Sequence, residues 1–225
     1  MKKYELTAEF IEKWGKKLFR IKALISFGSV EAGELGGYVE KEDNLAQDGD
    51  AWVYGNARVY GNAEVYGNAR VYGNAEVYGN ARVCDDAWVY GNARVYDDAW
   101  VYGDARVYGN AEVYGDARVY GNARVCDDAW VYGNAWVCGN ADYLLIGRIG
   151  SRFSFTTFFK NKDKGITVSC GCFLGTIAEF RAKVTDTHGN NKHAKMYNLA
   201  ADMAELQILG EEHFDKLNTN KSEPF

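Results

Sequence analysis

Two arginines, Arg106 and Arg124, lie eighteen residues apart in a stretch of the chain that repeats every six residues. If three repeats make one turn of a coil, side chains eighteen residues apart lie directly above one another. Two guanidinium groups on adjacent strands could together hold a phosphate or a carboxylate, because their forked donors match these oxygens. Asp142, a further eighteen residues on, or nearby tyrosines could instead balance the two charges. The pair is therefore a candidate site for a small anionic ligand.

Tryptophan and arginine recur at the same outward position of the repeat. The column that contains Arg106 runs Trp52, Arg70, Trp88, Arg106, Arg124 and Asp142. A second column runs Glu64, Arg82, Trp100, Arg118 and Trp136, and a third runs Arg58, Glu76, Arg94, Glu112 and Trp130. Opposite charges on adjacent strands contribute roughly 0.2–1 kcal/mol per pair, and an exposed arginine beside an aromatic ring contributes about 0.5–1 kcal/mol. The alternation therefore first explains how neighbouring strands keep their register.

The same residue types also favour recognition. Tyrosine, tryptophan and arginine are enriched among the residues that carry the binding energy of protein interfaces. We therefore predict that the outward faces bind a protein partner or a second copy of the chain. The candidate contact residues are Trp52, Arg70, Trp88, Trp100, Arg106, Arg124 and Trp136. The alternative is that outward aromatic side chains, such as the column Tyr60, Tyr78, Tyr96, Tyr114 and Tyr132, only cover one another.

Residues that could catalyse a reaction lie outside the repeat. The three histidines, His188, His193 and His213, all follow it, and we expect structural or solvated roles for the first two. Cys170 and Cys172 are separated by one residue, which on a single strand would place both thiols on one face. The sequence places no base beside them, so we expect small buried hydrophobic side chains rather than a nucleophile or a redox pair. These patterns favour a protein that is not an enzyme.

Metal and cofactor sites are not indicated either. The cysteines inside the repeat, Cys84, Cys126 and Cys138, replace tyrosine at an outward position and have no histidine nearby. They lie too far apart along the coil to form disulfides, and free thiols favour a reducing, cytoplasmic compartment. The double aspartates Asp85-Asp86, Asp97-Asp98 and Asp127-Asp128 lie at corners, where aspartate tolerates the backbone geometry. We predict no metal and no cofactor.

The balance of charges limits the classes of partner. The chain of 225 residues has a formal net charge of −5, and the repeat has 7 Arg and no Lys against 3 Glu and 9 Asp. No basic patch typical of nucleic-acid binding is present. No stretch is long and apolar enough to span a membrane, and Lys2-Lys3 is followed by Tyr4-Glu5 rather than by the apolar run of a signal peptide. We therefore expect neither nucleic acid nor a membrane among the partners.

The element that must position these side chains is the repeat itself. Residues 53–142 are fifteen consecutive six-residue units, with valine first and alanine fifth in every unit. In Ala57–Tyr60, alternation along a strand places Ala57 and Val59 on one face and Arg58 and Tyr60 on the other. Gly61-Asn62 then forms a corner. An interior of only valine and alanine is narrow, which predicts an all-β parallel solenoid with three units per turn. The fifteen units make about five turns, roughly 24 Å long at 4.8 Å per strand.

The unit Val59-Tyr60-Gly61-Asn62-Ala63-Glu64 resembles the hexapeptide repeat of left-handed parallel β-helices, a family that includes many acyltransferases. The resemblance implies a left-handed coil. Enzymes of that family generally use a histidine on or near a loop that leaves the coil, and the fifteen units contain neither a loop nor a histidine. An acyltransferase-like enzyme with an active site between subunits, using His188 or His193, is therefore the alternative to a binding protein.

The flanks are predicted to cap the coil, so that residues 1–50, 51–142 and 143–225 form a β-rich cap, the solenoid and an α+β cap. Residues 9–21 predict a β-hairpin around Trp14-Gly15, with a helix over 8–17 as the alternative. Residues 47–52 read as a degenerate unit with Gln47 in place of valine. After the repeat we expect strands over 153–159 and 166–173, and helices over 176–187 and 192–209. The second helix has apolar residues at the 3–4 spacing of a helix face, namely Met196, Leu199, Ala200, Met203, Leu206 and Leu209.

Both caps resemble uncharacterised repeat proteins encoded by bacteria and their phages. The resemblance rests on 19–24, 33–40 and 44–45 in the first cap with 52–54 just after it, and on 149–152, 156–158 and 168–173 in the second. It implies a phage or prophage origin and transfers no catalytic residue. The sequence as a whole predicts a non-enzymatic, cytoplasmic, phage-associated protein that binds a host protein or itself, with interference with host defence as one setting.

Overall fold

The computed structural model describes residues 1–212. The chain divides into two compact units, Met1–Asn134 and Ala135–Phe225. The first contains the N-terminal hairpin and most of the coil, and the second contains the last strand of the repeat, a four-stranded sheet and two helices. The division falls eight residues before the predicted end of the repeat at residue 142.

The first unit opens with the predicted β-hairpin. Strands β1 (Tyr4–Lys13) and β2 (Lys16–Ala23) pair antiparallel, and β3 (Leu35–Val39) pairs with β2. Trp14 and Gly15 form the turn with φ of 52° and 75°, the left-handed geometry that suits the twist of a two-residue hairpin. The alternative helix over 8–17 is therefore wrong. A short 3₁₀ helix, Glu42–Asn44, follows β3.

The coil consists of two-residue strands, each formed by the sixth residue of one unit and the valine of the next. In the first unit they are β4 (Trp52–Val53), β5 (Arg58–Val59), β6 (Glu64–Val65), β7 (Arg70–Val71), β8 (Glu76–Val77), β9 (Arg82–Val83), β10 (Trp88–Val89), β11 (Arg94–Val95), β12 (Trp100–Val101), β13 (Arg106–Val107), β14 (Glu112–Val113), β15 (Arg118–Val119), β16 (Arg124–Val125) and β17 (Trp130–Val131).

Each strand pairs in parallel with the strand eighteen residues later, as Arg58 with Glu76 and Val59 with Val77. Three sheets result, in the orders β3-β5-β8-β11-β14-β17, β4-β7-β10-β13-β16 and β6-β9-β12-β15. The predicted parallel β-solenoid with three units per turn is confirmed. Because β3 supplies a rung before the regular repeat, the coil has about six turns rather than five.

Valine and alanine fill the interior and the corners turn through left-handed residues. The repeat valines and alanines of the coil are fully or almost fully buried, so the interior is narrow because its side chains are small. Gly61 has φ of 73°, and its neighbour Asn62 donates its amide to the Gly79 carbonyl of the next turn at 2.7 Å. Asp85 takes the same geometry, with φ of 57°, and its Oδ2 accepts from the Gly103 amide at 3.1 Å. The double aspartates are therefore corner residues.

The entry into the coil differs from the prediction. Leu45, not Gln47, occupies the inward position, since Leu45 is buried and forms the β-bridge with Val65. Gln47 instead turns its side chain to β1, where Oε1 accepts from the Lys3 and Tyr4 amides at 2.8 and 3.3 Å. The inward residue of this rung therefore lies two positions earlier than the repeat pattern predicts. Gln47 is used instead to accept hydrogen bonds from backbone amides at the start of the hairpin, which would otherwise be unpaired.

The second unit contains β18 (Trp136–Val137), a 3₁₀ helix (Asn140–Asp142), β19 (Tyr143–Ile149), β20 (Ser154–Lys160), β21 (Ile166–Cys170), β22 (Phe173–Thr176), α1 (Ile177–His188) and α2 (Lys192–Leu209). Strands β19 to β22 form an antiparallel sheet in chain order. The two helices and the sheet share one hydrophobic core, which includes Phe158 and Val168 from the sheet, Phe180 from α1 and Tyr197 from α2.

Two sequence-based boundaries in this unit are wrong. The fifteenth repeat unit does not continue the coil, since Ala141 is exposed and Asp142 is buried, the reverse of the repeat pattern. The Asp142 carboxylate is held by Lys160 Nζ at 2.9 Å and by the Cys138 amide at 2.9 Å. The single strand predicted over 166–173 is divided by a turn at Gly171, with φ of 59°.

The two helices begin where they were predicted. Thr176 caps α1, accepting the Glu179 amide at 3.3 Å while the Glu179 carboxylate accepts the Thr176 amide at 2.8 Å, a reciprocal capping box. Asn191 caps α2 through the amides of His193 and Ala194.

The buried face of α2 consists largely of small residues: it carries Ala194, Tyr197, Ala200, Ala201, Ala204, Glu205 and Ile208. Of the apolar residues with helical spacing, Met196, Leu199, Met203 and Leu206 are exposed to between 39% and 63%. The larger apolar residues therefore do not mark the side of the helix that packs against the sheet.

Candidate functional site

The face formed by β4, β7, β10, β13 and β16 carries an aromatic ring between two cations. The Trp88 ring has the Arg70 guanidinium carbon at 5.3 Å and the Arg106 guanidinium carbon at 4.7 Å from its centroid. The parallel register places Arg70, Trp88 and Arg106 on successive strands. The Tyr72 ring meets Trp88 edge to face at 6.1 Å. Cation–π contacts on both faces and an edge contact hold this side chain in one orientation.

A groove of about 340 Å³ lies beside this stack and is lined by Asp50, Asn68, Arg70, Asp86, Trp88, Asp104 and Arg106. The acidic residues belong to the corner that precedes each strand of the face. Asn68 Nδ2 donates to Asp86 Oδ1 at 3.1 Å, which fixes one carboxylate. The groove thus has carboxylates along one edge. Along the other edge the Trp88 indole lies between the guanidinium groups of Arg70 and Arg106.

Trp100 has the same kind of stack on a different face of the coil. The Arg82 and Arg118 guanidinium carbons lie 5.0 and 5.2 Å from its ring centroid. Its strand β12 belongs to the sheet with β6, β9 and β15, not to that of β10. The two candidate tryptophans therefore cannot share one flat contact surface on the coil.

The remaining candidate residues divide into three cases. Arg124 pairs with Arg106 in the parallel register, so the predicted like-charged neighbours are confirmed. Trp136 lies in the second unit and is 37% exposed. Trp52 is completely buried, with Tyr4 and Phe27 meeting its ring edge to face at 6.0 and 5.4 Å. Its prediction as a contact residue is wrong, because the N-terminal segments cover the first turn of this face.

The third column is built from ion pairs, as the alternation predicted. Glu76 accepts from Arg58 Nη1 at 3.1 Å and from the Tyr60 hydroxyl at 3.2 Å, and Lys13 of the hairpin bonds the same carboxylate. Burial raises the pKa of Glu76, but hydrogen bonds and charge from Lys13, Tyr60 and Arg58 outweigh it, so the pKa lies below its ordinary value. The carboxylate is therefore structural.

Tyrosines next to these columns stack in register. Ring centroids from Tyr60 to Tyr78 and from Tyr78 to Tyr96 lie 5.0 and 4.9 Å apart, with the planes within 3° of parallel. The column continues through Tyr114 to Tyr132 at 4.7 Å per step. The prediction that these aromatics cover one another is confirmed for this column, which leaves the tryptophan faces as the better candidates for recognition.

Groups suited to chemistry meet in the second unit rather than on the coil. The His188 ring lies 5.8 Å from His193 and stacks on Tyr197 at 5.7 Å, whereas His213 lies outside the described residues. Cys170 ends β21 and Cys172 lies in the turn that follows, so the thiols do not share one strand face, and Cys172 is exposed rather than buried. Sequence reasoning missed Arg152, Thr156 and Tyr197, which the sheet and α2 bring to these cysteines from distant positions.

Two further observations limit the chemistry. Over residues 1–212, no group of three histidine, cysteine, aspartate or glutamate side chains is arranged to hold a metal ion. In the same part of the chain no helix combines the length and the apolar character needed to cross a membrane.

Comparison with known proteins bears on the repeat. A family model described as the YdcK β-solenoid repeat matches residues 51–67, 63–79, 87–103, 99–115, 105–121, 111–126 and 123–139. All seven matches lie within the coil, and they agree with its architecture of repeated β-rungs. A comparison with curated proteins gives no match.

Proposed function

We propose that this chain is a non-enzymatic binding scaffold whose coil presents the groove beside Trp88 to a protein partner. The observation that supports this proposal is the Arg70–Trp88–Arg106 stack next to the carboxylates of Asp86 and Asp104. Arginine and tryptophan held in place lose little side-chain entropy on binding, and they are the residue types that most often carry interface energy.

The groove chemistry favours a protein segment over a small anion. Arg106 is already placed over the Trp88 ring, and three aspartates line the same space. Carboxylates this close lower the attraction of a phosphate or carboxylate ligand for the guanidinium groups. A protein segment that carries both a basic and an acidic side chain can pair with both edges at once, with an apolar side chain against the indole.

An acyltransferase-like activity has less support. His188 and His193 belong to the helical region of the second unit, and no histidine lies on the coil. The alternative function is an acyltransferase-like enzyme in which a second copy of the chain completes the active site. Such an enzyme would have to bind acyl-coenzyme A, and calorimetry measures that binding directly.

The test starts with affinity capture from lysate of a host cell, followed by measurement of the purified partner's dissociation constant. Trp88→Ala combined with Arg106→Gln should weaken binding at least tenfold, since both changes remove groove contacts. Trp100→Ala combined with Arg118→Gln is the matched control, because Trp100 has the same stack of two arginines on a different face. Circular dichroism of each variant checks that the coil is intact.

The outcomes separate the alternatives. If only the Trp88 variant binds the partner more weakly, the groove is supported as the binding site. If both variants lose the same affinity, the groove is rejected in favour of a contact spread over the coil. A partner that binds all variants equally rejects the tryptophan faces as the binding surface. A native mass above that of one chain, with no captured partner, would favour self-assembly instead.

We also propose a left-handed coil, a phage or prophage origin and a cytoplasmic setting, with interference with host defence as the biological context. The first two rest on the resemblance of the repeat and of both flanking segments. The third is supported by five cysteines without a disulfide.

A further inference from the structure

The turn between β21 and β22 places a cation directly against an exposed thiol. Arg152 Nη1 lies 4.0 Å from Cys172 Sγ and donates to it. The same guanidinium lies over the turn glycine, since a Cβ on Gly171 would come within 2.9 Å of Arg152 Nη1. Gly171 also has φ of 59°. The glycine therefore serves two purposes: it lets the chain turn and it leaves room for the guanidinium beside the sulfur.

The thiol borders a pocket of about 170 Å³ within the second unit. Its lining includes Arg152, Cys170, Cys172, Lys183, His188 and Tyr197. None of the described residues that line this pocket carries a carboxylate. Asp186 lies outside the lining and pairs with Lys183 at 3.1 Å, on the surface, where the pair is well solvated. The pocket therefore has a positive potential at its thiol end.

The second cysteine is held differently. Cys170 is half-buried, and its sulfur accepts from the Thr156 hydroxyl at 3.2 Å. Burial, and after it the neighbouring Cys170 sulfur, raises the pKa of Tyr197 to about 12. Phe180 meets the Tyr197 ring edge to face at 5.6 Å. Cys170 is thus fixed in the pocket wall, while Cys172 can be reached from solvent.

We propose that Cys172 is a modification site for small anionic disulfides, the class in which carboxylates flank the sulfur–sulfur bond. The Cys172 thiol releases its proton to solvent, and the thiolate attacks one sulfur of the reagent. A bond forms between Cys172 Sγ and that sulfur, the reagent's own sulfur–sulfur bond breaks, and the second half leaves as a thiolate that takes up a proton. Arg152 draws the carboxylates toward the pocket, which raises the encounter rate with anionic reagents.

The second exposed cysteine of this unit provides an internal control. Cys138 is also exposed, but its backbone amide donates to the Asp142 carboxylate at 2.9 Å. That carboxylate is itself paired with Lys160 Nζ at 2.9 Å, so the charges beside Cys138 are balanced, whereas Arg152 lies against Cys172. Comparing the two sites within one sample removes differences in reagent concentration and in intrinsic reagent reactivity.

The experiment treats the full chain with oxidised glutathione as the anionic probe, cystamine as the cationic probe and 2-hydroxyethyl disulfide as the neutral probe. Peptide mass spectrometry at timed points gives the rate at each cysteine. At low salt, we expect Cys172 to react about tenfold faster with the anionic than with the cationic probe. Cys138 should show no such preference or the opposite one.

Arg152→Gln should bring the charge preference of Cys172 down to that of Cys138, and Arg152→Lys should retain most of it. Lys164→Gln is the control for removal of a surface cation elsewhere in the unit. If Arg152→Gln fails to fold, raising the salt concentration on the unaltered chain tests the same point, because screening should abolish the preference. Equal preferences at Cys172 and Cys138, or modification of Cys170 in place of Cys172, would overturn the proposal.

Discussion

The ammonium group of Lys13, at the tip of the N-terminal hairpin, pairs with the carboxylate of Glu76 on the coil. Their side chains are 22% and 13% exposed, so the pair is largely removed from water. Residues that are 63 positions apart in the chain are thereby joined. The contact links the hairpin to a coil strand to which it is not directly hydrogen-bonded in the sheet.

Glu76→Gln should destabilise the first unit by about 1–3 kcal/mol, because it leaves Lys13 without its partner in a half-buried setting. Glu112→Gln is the matched control. Glu112 accepts from Arg94 Nη1 at 3.3 Å and from the Tyr96 hydroxyl at 3.0 Å, as Glu76 does from Arg58 and Tyr60, but no lysine bonds it within the described residues. Urea unfolding should show a smaller decrease in the free energy of unfolding for Glu112→Gln than for Glu76→Gln. Equal decreases would show that the Lys13 contact adds no stability.

Stability should fall as the pH rises above about 10, because the tyrosine columns resist ionisation. Burial raises the pKa of Tyr66 and of Tyr114 to about 12, and it also raises the pKa of Tyr96. A group whose pKa is higher in the folded state stabilises the fold below its unfolded pKa, near 10 for tyrosine, and loses that contribution as the pH rises further. The tyrosinate absorbance of the folded chain should therefore appear at a higher pH than that of the unfolded chain. Titration of every tyrosine near its ordinary pKa would contradict this prediction.

Lys3 should have the opposite effect on the pH dependence of stability, over a pH range next to that of the tyrosines. Its Nζ donates to the carbonyls of Asp48 and Ala51 at 3.0 Å, and burial lowers its pKa to about 8 from an ordinary value of 10.5. Between these two values the unfolded chain binds more protons than the folded chain, so this residue makes stability rise with pH by roughly 1–3 kcal/mol. Lys3→Met should flatten the rise of the urea midpoint over that range. An unchanged slope would show that the lysine titrates normally.

Gly109→Ala should cost more stability than Gly133→Ala. Both glycines have left-handed backbones, with φ of 71° and 65°. A Cβ on Gly109 would lie 2.7 Å from the Asp127 amide nitrogen of the next turn, whereas a Cβ on Gly133 has nothing within 4 Å. The backbone strain is shared, so the difference in unfolding free energy, about 1–3 kcal/mol, isolates the steric contact between turns. Equal losses would mean that the coil spreads to admit a methyl group.

The architecture of the coil follows from the sequence because its information is local and repeated. Valine and alanine at fixed positions, with glycine or aspartate at each corner, repeat without interruption. Any turn made of whole units stacks equivalent positions, and the narrow interior of valine and alanine selects the turn of three units. The cap of α1 could be predicted for the same reason, since Thr176 and Glu179 lie only three residues apart.

The tertiary structure alone decided the positions where repetition ends or distant segments meet. Trp52 follows the repeat pattern of an exposed residue, yet it is buried because Tyr4 and Phe27 close over it from elsewhere in the chain. The helical spacing of Leu199 could not reveal which side of α2 faces the sheet, since the small residues Ala201 and Ala204 permit the closer approach. Arg152 beside Cys172 likewise depends on two turns twenty residues apart. These relationships arise from packing between segments that no short sequence window contains.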